Sequence, residues 1–104
     1  MKRIAFKMKL KPGFKQEYIK RHKEIWPEIA ELIRQSKISD YSIFLDEETN
    51  ILFGIQKISG DTSSQQLGSA AIQQRWWDYM SDIMETNPDH SPVTVFLEEV
   101  FYLE

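Results

Sequence analysis

Apolar and polar positions alternate from the start of the chain, where Ile4, Phe6, Met8 and Leu10 are interleaved with Arg3, Ala5, Lys7 and Lys9. This two-residue period marks a half-buried strand, and Pro12-Gly13 ends it. From Phe14 the period lengthens. Phe14, Tyr18, His22, Ile25, Ile29 and Leu32 recur at intervals of three or four, which puts them on one face of a helix. Pro27 falls inside that pattern, where its ring removes a backbone donor at a cost of about 3 kcal/mol in a regular helix, so a kink or a second helix starting there is predicted. Two β-rich runs follow, YSIFLD (41–46) and ILFGIQKI (51–58), joined by EETN, a polar link of hairpin length. Turn and N-cap residues in SGDTSSQQLGSAA then precede a second helical face made of Ile72, Trp76, Tyr79, Met80 and Ile83, predicting a helix over roughly 64–84. TNPDHSP breaks it, and VTVFLEEVFYL predicts a long last strand over 93–103.

The order strand, helix, strand, strand, helix, strand predicts an α+β fold, a ferredoxin-like β-α-β-β-α-β antiparallel sheet with both helices on one face. In the last strand Val93, Val95, Leu97, Phe101 and Leu103 lie on one side and Phe96, Val100 and Tyr102 on the other, so neither side is polar. A second copy of the same sheet would cover the helix-free face, and a homodimer is expected. The 104 residues suit a single domain, 1–104, with one core. With 41% hydrophobic and 28% charged residues and no apolar run near the roughly 20 residues of a membrane span, a soluble protein with no membrane partner is expected. MKRIAFKMKL lacks both a continuous apolar stretch and a small-residue cleavage site, so the expected compartment is the cytoplasm. The absence of cysteine excludes disulfides, thiolate nucleophiles and cysteine-bound metals. A net charge of −3 without a basic cluster argues against a nucleic-acid partner.

Of the two histidines, only His22 lies on an inward helical stripe, one turn after Tyr18, while His90 sits in a loop. Histidine is the usual proton carrier near neutral pH, although a lone histidine on an apolar face also serves as an ordinary core group. Tyr18 and Tyr41 have equally plain readings, as a core tyrosine whose hydroxyl reaches the surface and as an aromatic at a strand edge. The adjacent tryptophans of QRWWDYM (74–80) point about 100° apart around a helix. Trp76 fits the core stripe, whereas Trp77, with Gln73 and Ser81 one turn to either side, lies on its flank. An indole bordering a cleft suits the apolar C–H face of a sugar, with polar groups at the rim for its hydroxyls. No glycine-rich phosphate loop or Ser/His/Asp order stands out, and no metal site is expected, because Glu24 in HKE (22–24) points away from the His22 face.

YIKRHKEIWPE (18–28), YSIFLD (41–46), QRWWDYM (74–80), NPDHSPV (87–93) and EVFYL (99–103) together resemble the L-rhamnose mutarotase family from near the first residue to near the last. The specific feature is a Tyr-x-x-x-His followed by Ile-Trp-Pro-Glu and, later, a Trp-Trp helix. The resemblance implies an isomerase without metal or organic cofactor that interconverts the α and β anomers of L-rhamnose, built as a dimeric α/β barrel of ferredoxin-like subunits. By position, His22 resembles the family's proton donor, and Tyr18, Tyr41, Trp76 and Trp77 resemble its substrate-contacting residues. His90 departs from the pattern, in which asparagine is expected, but it falls in a turn outside the matched site positions. The chemistry implied is ring opening and reclosure by general acid and base, which a neutral imidazole can perform. Two other classes stay open on such a fold: a haem-handling enzyme or oxygenase with His22 as axial ligand, and a sugar-binding or regulatory module without turnover.

Overall fold

The structure is a computed structural model and describes residues 1–104. Strand β1 (Lys2–Lys9) is the central scaffold. Phe6, Met8 and, just beyond it, Leu10 all turn inward and are buried, as the alternation demands. Helix α1 (Lys15–Lys23) and helix α2 (Pro27–Gln35) replace the single kinked helix that was one of the two possibilities at Pro27. Proline cannot donate to a helical ladder, but at the first position of α2 no donor is needed, and the Trp26 carbonyl accepts instead from Ile29 and Ala30. Hairpin β2 (Ile38–Asp46) and β3 (Ile51–Ile58) follows, then a 3₁₀ turn at Ser64–Gln66, helix α3 (Ala71–Met80) and the short strand β4 (Val95–Leu97).

The four strands form one antiparallel sheet in the order β2-β3-β1-β4. The result is an α+β domain with three α-helices, whose core joins Phe6, Met8 and Leu52 of the sheet to Tyr18, Ile29, Trp76, Trp77 and Met80 of the helices. No helix is long and apolar enough to cross a membrane.

Two predicted boundaries are corrected. The helix expected over roughly 64–84 is confined to Ala71–Met80. Ser63 does nucleate a turn, its hydroxyl accepting from Gln65 N–H while Gln66 accepts from Ser63 N–H, but the chain leaves helical geometry after Gln66. At the other end, Ile83 accepts from Lys11 N–H and Met84 bridges to Leu10, so this segment pairs with the end of β1 instead of extending the helix.

The last strand, expected over 93–103, has only the three residues Val95–Leu97. Pairing with β1 runs only from Lys7 opposite Val95 to Ala5 opposite Leu97; Ile4 and Arg3, next in register and paired with β3 on their other side, gain no ladder partner from residues 98–99. Upstream, Pro92 bridges to Thr86 and Val93 donates to Glu85, so pairing with β1 begins later. Val100, Phe101 and Leu103 are exposed. Arg3 reaches this tail, meeting Glu99 at 3.5 Å and lying 3.4 Å over the Tyr102 ring.

Candidate active site

Tyr18 and His22 sit one turn apart on α1, and their rings stack with centroids 4.2 Å apart. His22 Nδ1 lies 3.1 Å from the Tyr18 carbonyl oxygen. A carbonyl only accepts, so Nδ1 carries a proton and Nε2 is the nitrogen left to exchange one. Trp76 of α3 meets the imidazole edge-on at 5.6 Å, and Trp26, from the link between α1 and α2, meets Trp76 edge-on at 5.0 Å. Tyr79 stacks on Trp26 at 5.4 Å and is covered by Arg21, whose guanidinium is 4.3 Å from the ring centroid. Arg21 is itself fixed by two bonds to Asp82, at 2.9 and 3.2 Å, and one to Glu17 at 2.8 Å. The imidazole is therefore held by packed rings whose far end is pinned by an ion-pair cluster.

Tyr41 reaches the same place because of a β-bulge. Ser39 pairs with Lys57 and Ser42 with Ile55, so Asp40 and Tyr41 together oppose Gln56. Asp40 takes the left-handed φ of 48° that the bulge requires. Without the extra residue, alternation from buried Ile38 would send Tyr41 to the helix-free face and Phe44 inward. With it, Tyr41 packs on the core and Phe44 is left exposed.

Trp77, on the flank of the stripe, is as buried as Trp76, at 6% and 7% exposure. The reason is the loop before α3, which folds over that flank. A Cβ on Gly68 would lie 2.8 Å from the Trp77 ring, so the glycine lets the backbone pack on the indole. The second ring thus faces this loop on one side and a cavity on another.

Tyr18, His22, Tyr41, Trp76 and Trp77 all line one cavity of about 660 Å³, within the range of small-molecule sites. Burial lowers the pKa of His22 below the usual 6.5, with the Tyr18 carbonyl opposing the shift. Burial also raises the pKa of Tyr18, helped by neighbouring Tyr41, and raises that of Tyr41 against the opposing influence of Ser64. At neutral pH the walls therefore offer a neutral imidazole and two protonated phenols. No three His, Asp or Glu side chains converge to hold a metal ion.

The polar cavity residues that the sequence did not single out as site members include Ser64, Gln73 and His90. Gln73 carried a usable signal, one turn from both tryptophans. Ser64 and His90 carried none, because only the tertiary fold brings their loops here. His90, taken as a turn residue outside the site, has a φ of 70° and its Nδ1 donates to Asp78 at 2.9 Å. This contact and a bond from Gln74 hold the Asp78 carboxyl below its usual range.

Residues 3–103 match the family model described as L-rhamnose mutarotase. The chain belongs to the L-rhamnose mutarotase family. It is 59% identical to the L-rhamnose mutarotase of Bacteroides thetaiotaomicron, across the full length of both chains. The relative of that name from Phocaeicola vulgatus is 58% identical, again over both full lengths. The crystal structure of an L-rhamnose mutarotase from Formosa agariphila superposes with a TM-score of 0.93 at 54% identity, covering all of both chains. Membership in the L-rhamnose mutarotase family makes the chain an anomer-interconverting carbohydrate isomerase and selects that reading over the haem-handling and non-catalytic ones.

Proposed function

We propose that the chain interconverts the α and β anomers of L-rhamnose without metal or organic cofactor, with His22 moving the proton and Tyr18, Tyr41, Trp76 and Trp77 holding the sugar. The observation that carries this reading is the bond from His22 Nδ1 to the Tyr18 carbonyl, which leaves a single exchangeable nitrogen in an aromatic-walled cavity. Nε2 takes the proton of the anomeric hydroxyl. The bond from the anomeric carbon to the ring oxygen breaks, its electron pair goes to the ring oxygen, and an aldehyde forms. The imidazolium then returns the proton to that oxygen. Both oxygens were attached to one carbon, so one imidazole reaches both. Rotation of the aldehyde and the reverse sequence on its other face give the second anomer, with no net proton consumed. Tyr18 and Tyr41, which keep their protons, donate hydrogen bonds to the oxygen where negative charge develops. The indoles stack on the apolar side of the sugar, and preference for its methyl over a hydroxymethyl is modest, about 1–3 kcal/mol.

The test is NMR saturation transfer between the two anomeric protons of L-rhamnose. Catalytic amounts of protein should accelerate the exchange; a folded protein that leaves the spontaneous rate unchanged overturns the reading.

The lowered pKa of His22 predicts that the acid limb of the catalysed rate lies below pH 6.5, because the neutral base persists there. Stability carries the matching sign. Below 6.5 the unfolded chain protonates His22 while the folded chain resists, so the unfolded state binds more protons and this group's contribution is lost as pH falls toward the folded value. A rate profile that already declines above pH 6.5 contradicts the assignment.

The strand order, with α1 and α2 between β1 and β2 and α3 between β3 and β4, supports a ferredoxin-like subunit. Its helix-free face carries Ala5, Phe44, Phe53, Ile55, Val95 and Leu97, placed together by the strand registers, and Phe44 is 60% exposed. Pairing of two such faces would bury this surface and form the dimeric α/β barrel. Sedimentation equilibrium should give twice the chain mass of 12.3 kDa, and Ile55→Lys should reduce it to one. A monomeric wild type at micromolar concentration removes the proposal.

A further inference from the structure

We infer that Gln73 is a positioning residue of this site, its carboxamide binding two adjacent hydroxyls of the sugar; the inference rests on the proposed mutarotase reading. Gln73 lies on α3, one turn before Trp76 and Trp77, and is only 5% exposed. The other buried glutamine in the sheet, Gln56, shows what such a side chain needs: its amide donates to the Ser64 hydroxyl at 2.8 Å and accepts from Ser64 N–H at 2.9 Å. The Gln73 side chain makes no hydrogen bond within the chain. Yet no side-chain nitrogen or oxygen that is closed off from solvent lacks a partner, so the polar atoms of Gln73 open onto the cavity that the residue lines.

Nothing in the packing accounts for an amide at this position. A methionine or leucine would fill the helix face equally well, and burying a polar group without a partner is unfavourable. The chemistry of the amide fits a polyol. A carboxamide presents an acceptor beside a donor, and vicinal hydroxyls on a pyranose offer the complementary pair. Such a contact also orients the ring. With the apolar sugar face on the indoles and two hydroxyls clamped by Gln73, the ring is fixed at two points relative to the imidazole that carries the proton. Those hydroxyls are not the reacting oxygens, so the contact is the same in the ground state and the transition state and acts on binding.

The experiment compares wild type with Gln73→Met, which keeps length and loses both polar atoms. Exchange kinetics and calorimetric binding are measured on L-rhamnose and on its 2-, 3- and 4-monodeoxy analogues. The expected result is a KM and Kd for L-rhamnose raised about ten- to a hundredfold, with kcat within about threefold. The decisive readout is the substrate preference. Wild type should lose affinity for two of the analogues, while Gln73→Met should bind those two and L-rhamnose alike, a pattern that general loosening of the helix would not produce. Gln73→Asn, which keeps the amide but withdraws it by one carbon, gives the same readout if Gln73→Met does not fold. Unchanged KM, or an analogue preference identical to wild type, overturns the inference. Absence of catalysed exchange in the wild type would instead count against the mutarotase reading, and the analogue binding series would still decide the role of Gln73.

Discussion

Replacing His22 with asparagine should slow the catalysed exchange of L-rhamnose anomers by about 10²–10⁴-fold, the usual worth of a positioned general acid and base. Asparagine is chosen because its side-chain N–H can still donate to the Tyr18 carbonyl that His22 Nδ1 now occupies. What it lacks is a second nitrogen that gains and loses a proton near neutral pH. The change also removes half of a stacked pair, since the imidazole lies 4.2 Å from the Tyr18 ring and 5.6 Å from Trp76. Sugar affinity and thermal unfolding therefore need to be measured beside the rate. Loss of rate with affinity kept within a few-fold assigns the proton transfer to His22; loss of both in proportion would make it a packing residue. Full activity in His22→Asn would redirect attention to His90, which lines the same cavity and is oriented by Asp78.

The parts of this site that were legible in the sequence are those set by short-range periodicity. Spacing of four along a helix put Tyr18 and His22 on one face, and the alternation in β1 put Phe6, Met8 and Leu10 on the inner side of the sheet. Proline at position 27 also marked a break, because its missing donor is a local fact, and of the kink and the new helix it predicted the second is observed. What local spacing did not show has a different origin. Tyr41 faces inward only because one extra residue is accommodated against Gln56, and nothing in YSIFLD distinguishes a bulged strand from a regular one. Trp77 reads as a flank residue until the loop at Gly68 closes over it. The last strand stops after Leu97 although Ile4 and Arg3 lie next in register on its neighbour, and nothing in VTVFLEEVFYL marks that end. His90 and Ser64 enter the cavity on loops whose courses are set by tertiary contacts such as the bond from His90 to Asp78 and the one from Gln56 to Ser64.

The sheet beneath the site supplies the second large effect. Phe6→Ala should destabilise the protein by about 3–5 kcal/mol, a substantial part of the 5–15 kcal/mol typical of a whole domain. The ring is fully buried at the centre of β1, opposite Gly54 on one side and Phe96 on the other. Its ring centroid also lies 6.2 Å from that of Tyr41, so the lost packing should loosen one wall of the cavity and, if the sugar binds there as proposed, raise KM as well. Gly54 is the complement of this ring: a Cβ there would lie 2.5 Å from two ring atoms. Gly54→Ala alone should then cost about 1–3 kcal/mol by overpacking. In the Phe6→Ala background the same methyl enters space the ring has left, and its cost should fall to about zero or reverse, a coupling between neighbours of the kind a double-mutant cycle measures. Urea unfolding of the four proteins at one fixed concentration provides the comparison, with Phe6→Leu in place of Phe6→Ala if the larger truncation does not fold. Additive losses would mean that the ring does not occupy the space above Gly54; strong coupling would mean that the glycine is there to admit the phenyl ring on which Tyr41 rests.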